Sequence, residues 1–199
     1  NLLILLMYIK KNITVIIVTY KTNRKILLNC LSSISRDINV LIVENSKKFD
    51  GKTIFLKKFK NLKIVCTGTN LGYGGGNNFG LSKIKTKYAL ILNPDTKLKN
   101  NFFKILSKVI DTNNNFHLLG CSQLKKNNVL PAGFFDNEKN KKFKKIINTK
   151  KVSFLTDVDW IRGFSMIVNL KKFNKKRIFD ENYFLYFEEI DLCKKIKNN

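Results

Sequence analysis

The run Ile13-Thr14-Val15-Ile16-Ile17-Val18 has no polar face. Its β-branched residues favour a pleated strand. A strand that is apolar on both sides must be covered on both sides, as at the centre of a parallel sheet. Further apolar runs lie at 40–43, 62–66 and 89–92. Between them, apolar residues recur at helical spacing. Ile26, Leu27, Cys30, Leu31 and Ile34 form one such set, and residues 52–60 a shorter one. A third set runs through Phe79, Leu81 and Ile84, and a fourth through Phe102, Phe103, Leu106, Val109 and Ile110. Strands alternating with helices predict an α/β fold with a mostly parallel, doubly wound sheet and helices on both faces. Residues 118–124 and 158–168 are strand candidates, and 186–197 reads as an amphipathic helix. The polar stretch 125–151 reads as a long surface loop or a lid. No linker or repeat interrupts the chain, so 1–199 is expected to be one domain.

The net charge of +24 narrows the class less than its size suggests. Only Arg24, Arg36, Arg162 and Arg177 are arginines, and the other basic residues are lysines. Specific readers of nucleic acid lean on the arginine fork. No helix-turn-helix, zinc-finger or RNA-recognition signature is present, so no specific nucleic-acid partner is expected. Attraction to an anionic membrane surface remains. Cys30, Cys66, Cys121 and Cys193 lie far apart and form no metal or disulfide pattern, which suits a cytoplasmic setting. The apolar start, Asn1 to Met7, is too short to span a bilayer. The part ahead of Met7 reads as upstream read-through or a fragment edge.

Chemistry gathers where the apolar runs stop. In Asn93-Pro94-Asp95, proline cannot donate to a ladder, so the strand ends there. That leaves Asp95 just past a strand C-terminus, the edge where open α/β sheets bind ligands. A carboxylate there suits a divalent cation shared with a phosphate. Thr19-Tyr20 and Glu44-Asn45-Ser46 end two other strands, and an acid in such a place can accept from a ribose or a base edge. Asn70-Leu71-Gly72-Tyr73-Gly74-Gly75-Gly76-Asn77 reads as a glycine-rich turn whose N–H groups approach a phosphate before a helix begins. It is not the dinucleotide fingerprint, because Asn77 stands where the last glycine belongs. Near the C-terminus, Asp180, Glu181, Glu188 and Glu189 lie among aromatics. Apolar surroundings raise a carboxyl pKa, which suits proton abstraction from a sugar hydroxyl. His117, the only histidine, carries no assigned role.

These elements, in this order, resemble the family 2 glycosyltransferases of the GT-A fold, most closely the rhamnosyltransferase-like branch. The likeness runs from about Ile13 to Lys197 and includes Gly163-Phe164 and the stretch from Phe179 to Cys193. It implies a nucleotide-sugar-binding half over about 12–115 and an acceptor and catalytic half over 116–199. It implies inverting transfer of rhamnose or another hexose from a nucleotide-diphosphate sugar to a saccharide or lipid-linked acceptor, in cell-surface polysaccharide synthesis. Thr19, Tyr20 and Glu44 would meet the nucleoside. Asn70, Gly72, Gly75, Asn77 and Asn93 would complete the donor site. Asp95 would hold Mn2+ or Mg2+, and Asp180 and Glu181 would lie near the acceptor. Glu189, or Glu188, would be the catalytic base. Three positions depart from the family pattern. Lys21 stands for a common Asn, Glu44 for a common Asp, and Glu189 for the Asp of a Glu-Asp pair. Two other classes compete: a sugar-phosphate nucleotidyltransferase, and a basic nucleic-acid-binding module. The first expects a glycine-rich loop after the first strand, and 19–23 contains no glycine.

Overall fold

The computed structural model describes residues 2–126, 128–136 and 155–198. Its centre is a six-stranded sheet built from β1 (Ile13–Thr19), β2 (Asn39–Glu44), β3 (Leu62–Cys66), β4 (Tyr88–Leu92), β5 (Leu118–Gly120) and a late strand, β10 (Ser165–Asn169). The spatial order is β3-β2-β1-β4-β10-β5. Pairing from β3 through β4 is parallel, and β10 runs antiparallel to both its neighbours. Short hairpin strands complete the β structure: β6 (Gln123–Lys125) with β7 (Asn128–Leu130), and β8 (Gly133–Phe134) with β9 (Trp160–Ile161).

The alternation along β1 explains the layers. Val15 and Ile17 face one side, packed by Leu27 and Leu31 of α2 (Arg24–Ser32), Phe55 of α3 (Lys52–Lys58) and Phe103 of α5 (Phe102–Thr112). Ile16 faces the other, with Leu81 of α4 (Gly72–Lys83) and Leu192 of α6 (Glu188–Lys197). A run with apolar residues on both sides has both faces buried, as the sequence pattern requires.

The chain winds outward from β1 to β3, then crosses to the far side of β1 as β4. The strand order therefore reverses between β1 and β4. Their C-terminal ends flank the switch point, where ligands bind in sheets of this kind. Thr19-Tyr20 and Asn93-Pro94-Asp95 emerge there.

Several expectations change. The segment before β1 is a helix, α1 (Leu2–Asn12), that buries Ile9 against α5. The candidate strand at 118–124 is two strands, and that at 158–168 is broken at 162–164. Part of the supposed loop at 125–151 carries β7 and β8. Residues 127 and 137–151 of that stretch, and the lid reading with them, lie outside the described residues. No helix among the described residues is long and apolar enough to cross a membrane.

The largest correction concerns the glycines. The run from Gly72 to Gly76 lies within α4 instead of forming a turn ahead of it. Helix propensity argues against this. Close packing overrides it, because α4 crosses β1 and β2 too tightly for side chains. A Cβ on Gly76 would sit 2.8 Å from Val18 Cγ1, and one on Gly80 would sit 2.8 Å from Ile16 Cγ2 and 3.0 Å from Val43 Cγ2. Those methyls belong to β-branched strand residues with little rotamer freedom. Ala in a free helix would gain roughly 1 kcal/mol over Gly. Here overpacking dominates, and Gly80→Ala is expected to destabilise the fold by about 1–3 kcal/mol. Urea unfolding checks the sign.

Candidate active site

Glu44 ends β2 and is 3% exposed. Both of its oxygens are occupied. Oε2 accepts from Thr19 Oγ1 at 2.6 Å, and Oε1 accepts from the Lys21 N–H at 3.2 Å and from Ser46 Oγ at 2.7 Å. The carboxylate thus ties the loop after β1 to the loop after β2. It holds Lys21 at φ 49°, outside the usual range for a side-chain-bearing residue. Thr19 is buried and Tyr20 is half exposed. Asn45 extends the tie, donating from its N–H to Thr19 O at 2.7 Å and from Nδ2 to Gly72 O at 2.7 Å.

Across the switch point, Asn93 donates its N–H to Phe164 O at 2.9 Å. Its own carbonyl accepts from Cys30 Sγ at 3.7 Å and from the Thr96 N–H at 3.1 Å. Asp95 is exposed and makes no hydrogen bond or ion pair among the described residues. Burial, joined by the Asp95 charge, pushes the Cys30 thiol up to about 12, which places that carboxylate near Cys30.

The glycines that the sequence pattern puts in a turn belong to α4. Gly72, Gly75 and Asn77 are buried against protein atoms. A Cβ on Gly72 would lie 2.1 Å from Phe184 O, and one on Gly75 would lie 2.9 Å from Leu71 Cβ. At Gly72 and Gly75 the space a side chain would need is taken by the chain itself. Asn70 is exposed and accepts from the Gly72 N–H at 3.1 Å.

The acids near the C-terminus divide into two kinds. Asp180 accepts from the Asn182 N–H and from Lys195 Nζ, each at 3.0 Å, and those bonds hold its carboxyl below the usual range. Glu181 accepts from Asn78 Nδ2 at 3.0 Å and pairs with Arg177, and both lower its pKa. Asn78 is buried, and its Oδ1 also accepts from the N–H groups of Ile178 and Phe179. This side chain fixes the whole entry to the acidic segment, a role that sequence reasoning missed.

Glu188 and Glu189 open α6 and have no cationic partner among the described residues. Glu188 is 4% exposed, and one oxygen of each carboxylate is buried without a hydrogen bond. Burial, reinforced by the Glu189 charge, raises the Glu188 pKa. The Tyr73 hydroxyl faces both acids and is pushed far up by burial and by their charges. It donates to Gly163 O. A Cβ on Gly163 would stand 3.3 Å from that hydroxyl and 3.6 Å from Glu189 Cδ. Residues 163 and 164 therefore meet both the acid pair and the Asn93-Pro94-Asp95 turn. Beside them Trp160 stacks on Phe134 at 4.4 Å, and the Arg162 guanidinium lies 4.8 Å over the Phe134 ring.

Backbone strain marks the same place. Tyr186 and Phe187, immediately before Glu188, have φ values of 70° and 71°. Left-handed backbone costs a side-chain-bearing residue roughly 1–2 kcal/mol. Such outliers persist where surrounding structure over-determines them, and they cluster at functional sites. The anchor here is Phe184 O, which accepts from the Tyr73 N–H at 3.0 Å.

A family model described as Glycosyl transferase family 2 matches residues 14–189. The chain belongs to this family. Within it, the chain is 26% identical over 193 residues to the low-salt glycan biosynthesis hexosyltransferase Agl10 of Haloferax volcanii, covering 92% of this chain and 60% of that protein. It is 26% identical over 198 residues to the rhamnosyltransferase WbbL of Escherichia coli strain K12, covering 85% of this chain and 70% of that protein. The mannosyltransferase PcManGT from Pyrobaculum calidifontis, solved with GDP-Man and Mn2+, superposes with a TM-score of 0.61 at 13% identity. The match covers 98% of this chain and 58% of that one. The fold is GT-A, as the sequence resemblance implies.

The raised Glu188 carboxyl has a thermodynamic consequence. Its protonated form favours the folded state, so that contribution is present at low pH and is lost as pH rises through the folded-state value. Glu188→Gln cannot ionise. It is expected to melt higher than the natural chain at about pH 8, with the gap closing toward about pH 4. Thermal melts across that range check this, and a pH-independent gap contradicts it.

Proposed function

We propose that this chain is the catalytic unit of an inverting glycosyltransferase. It moves a hexose, rhamnose-like or otherwise, from a nucleoside-diphosphate sugar to a saccharide or lipid-linked hydroxyl in cell-surface glycan synthesis. The observation that carries the reading is the pair of bonds at residues 163–164. They join the turn that carries the Asp95 carboxylate, at the sheet's switch point, to the acid pair.

The donor lies across the ends of β1, β2 and β4, with Thr19, Tyr20 and Glu44 on the nucleoside side. Because Glu44 is saturated by Thr19, Lys21 and Ser46, its part is to set the shape of that loop. Among the described residues, Asp95 is the acid at the switch point with an open coordination sphere. Among the described residues no group of three acidic, histidine or cysteine side chains forms a closed metal cage. That donor set fits a divalent cation, Mn2+ or Mg2+, held by Asp95 and completed by the diphosphate and water. Such a cation supplies neutralisation of the charge that builds on the departing diphosphate.

Glu189 takes the proton from the acceptor hydroxyl. The hydroxyl oxygen bonds to the anomeric carbon as the bond to the donor phosphate breaks on the opposite face. The nucleoside diphosphate leaves and the configuration inverts. Glu188 sits deeper and has the raised pKa. The Tyr73 hydroxyl, which donates to Gly163, keeps segment 163–164 against that pair. The net charge of +24 supports a place at the inner, anionic face of a membrane, where a lipid-linked acceptor is met.

The test is transfer from dTDP-rhamnose, GDP-mannose or UDP-N-acetylglucosamine in the presence of manganese. Glu189→Gln is expected to lower kcat by roughly 100-fold or more while nucleotide affinity holds. Asp95→Asn is expected to remove the response to manganese. Full manganese-dependent turnover by Asp95→Asn contradicts the assignment. Release of pyrophosphate from a sugar phosphate and a nucleoside triphosphate would make the protein a nucleotidyltransferase instead.

A further inference from the structure

The segment Tyr183-Phe184-Leu185-Tyr186-Phe187 puts five large apolar side chains into solvent in a row. Tyr186 is 71% exposed, Phe187 64%, Phe184 56%, Leu185 52% and Tyr183 38%. A consecutive exposed run of this size calls for an occupant. Phe184 is drawn part-way into the fold, its ring 3.0 Å from where a Cβ on Gly72 would stand. The ends of the segment are fixed by backbone, with Phe184 O bonded to the Tyr73 N–H and Phe187 O to the Asp191 N–H at 2.9 Å. The side chains are free of that work. Tyr186 and Phe187 also hold left-handed backbone, which glycine would adopt without strain. A sequence selected for stability alone would place glycine or asparagine there.

We infer that this aromatic shelf binds the acceptor, by stacking on the C–H face of a pyranose ring. The inference rests on the proposed transferase reading and deepens it. A base takes a proton only from a hydroxyl within hydrogen-bond reach. The acceptor ring must therefore lie against the residues that flank Glu188 and Glu189, and the residue before Glu188 is Phe187. A pyranose offers apolar C–H groups on its faces and hydroxyls around its rim. Rings and rim acids together match that chemistry, since aromatic side chains combine large apolar area with few rotatable bonds. No charged side chain lies within 183–187, although the chain as a whole is strongly basic. That composition favours a neutral sugar ring over a phosphate as the group received here.

The experiment uses the whole chain loaded with magnesium and UDP, GDP or dTDP, and methyl glycosides of common hexoses as probes. Saturation-transfer NMR reads which glycoside protons touch the protein. We expect transfer to ring C–H protons, reduced about 5-fold or more in Tyr186→Ala and Phe187→Ala, a change in the range of one aromatic contact. Nucleotide affinity should stay within about 2-fold. Phe187→Gly separates function from folding. It should melt at the same temperature or higher, since strain is relieved, and still lose the glycoside signal. Glycoside signals that survive all three substitutions overturn the inference while leaving the transferase reading intact. So does a lower melting temperature for Phe187→Gly with the signal retained. Vesicle binding or dimerisation that these substitutions abolish, with glycoside contact unchanged, assigns the shelf to a lipid surface or a second copy and also overturns it. A natural chain that binds no nucleoside diphosphate takes down both readings together.

Discussion

Two neighbouring carbonyls hold the functional rim together. Phe164 O receives the Asn93 N–H, and Gly163 O receives the Tyr73 hydroxyl. The first bond attaches the turn that carries Asp95, and the second attaches α4 beneath the acid pair. A Cβ at residue 163 would stand 3.3 Å from the Tyr73 hydroxyl, a tight contact. The break between β9 and β10 exists to make this junction. A continuous strand through 162–164 would direct those carbonyls into the ladder, away from both partners.

Charge pairing sharpens the picture. Cations greatly outnumber acids in this chain, 38 to 14. Six described acids pair with a cation: Asp37 with Lys10, Asp50 with Arg24, Asp159 with Lys197, Asp180 and Asp191 with Lys195, and Glu181 with Arg177. Exposed pairs of this kind contribute little stability. The informative acids are those left without a cation. Glu44, Asp95, Glu188 and Glu189 are among them, and all four lie at the C-terminal rim of the sheet or the acid-pair end of α6. Leaving a buried carboxylate such as Glu188 unpaired costs stability and needs a reason in function.

Much of this was legible in the sequence. Runs such as 13–18 and 89–92 are apolar on both faces and so could only be central strands. Asn-Pro-Asp could only end one. The resemblance supplied Glu188 and Glu189 as the candidate acid pair. The glycine run misled, because local propensity reads three glycines as a turn. Their cause is non-local: Val18, Ile16 and Val43 lie dozens of residues away and leave no room for a Cβ. Asn78 and Tyr73 were silent for the same reason, since each acts on a segment about 100 residues further along the chain. The strain at Tyr186 and Phe187 was also invisible. An aromatic pair gives no sign of left-handed backbone until the surrounding contacts impose it.

The central claim is spatial: one cation site at the switch point faces the acid pair across a single cleft. Paramagnetic relaxation by Mn2+, added with a nucleoside diphosphate to isotope-labelled protein, tests it directly. The account predicts that the backbone signals of Asp95, Phe164 and Glu189 broaden together, while those of Lys57 on α3 and Lys63 on β3 stay sharp. Broadening at Asp95 with Glu189 untouched, or broadening centred away from Asp95, would contradict it.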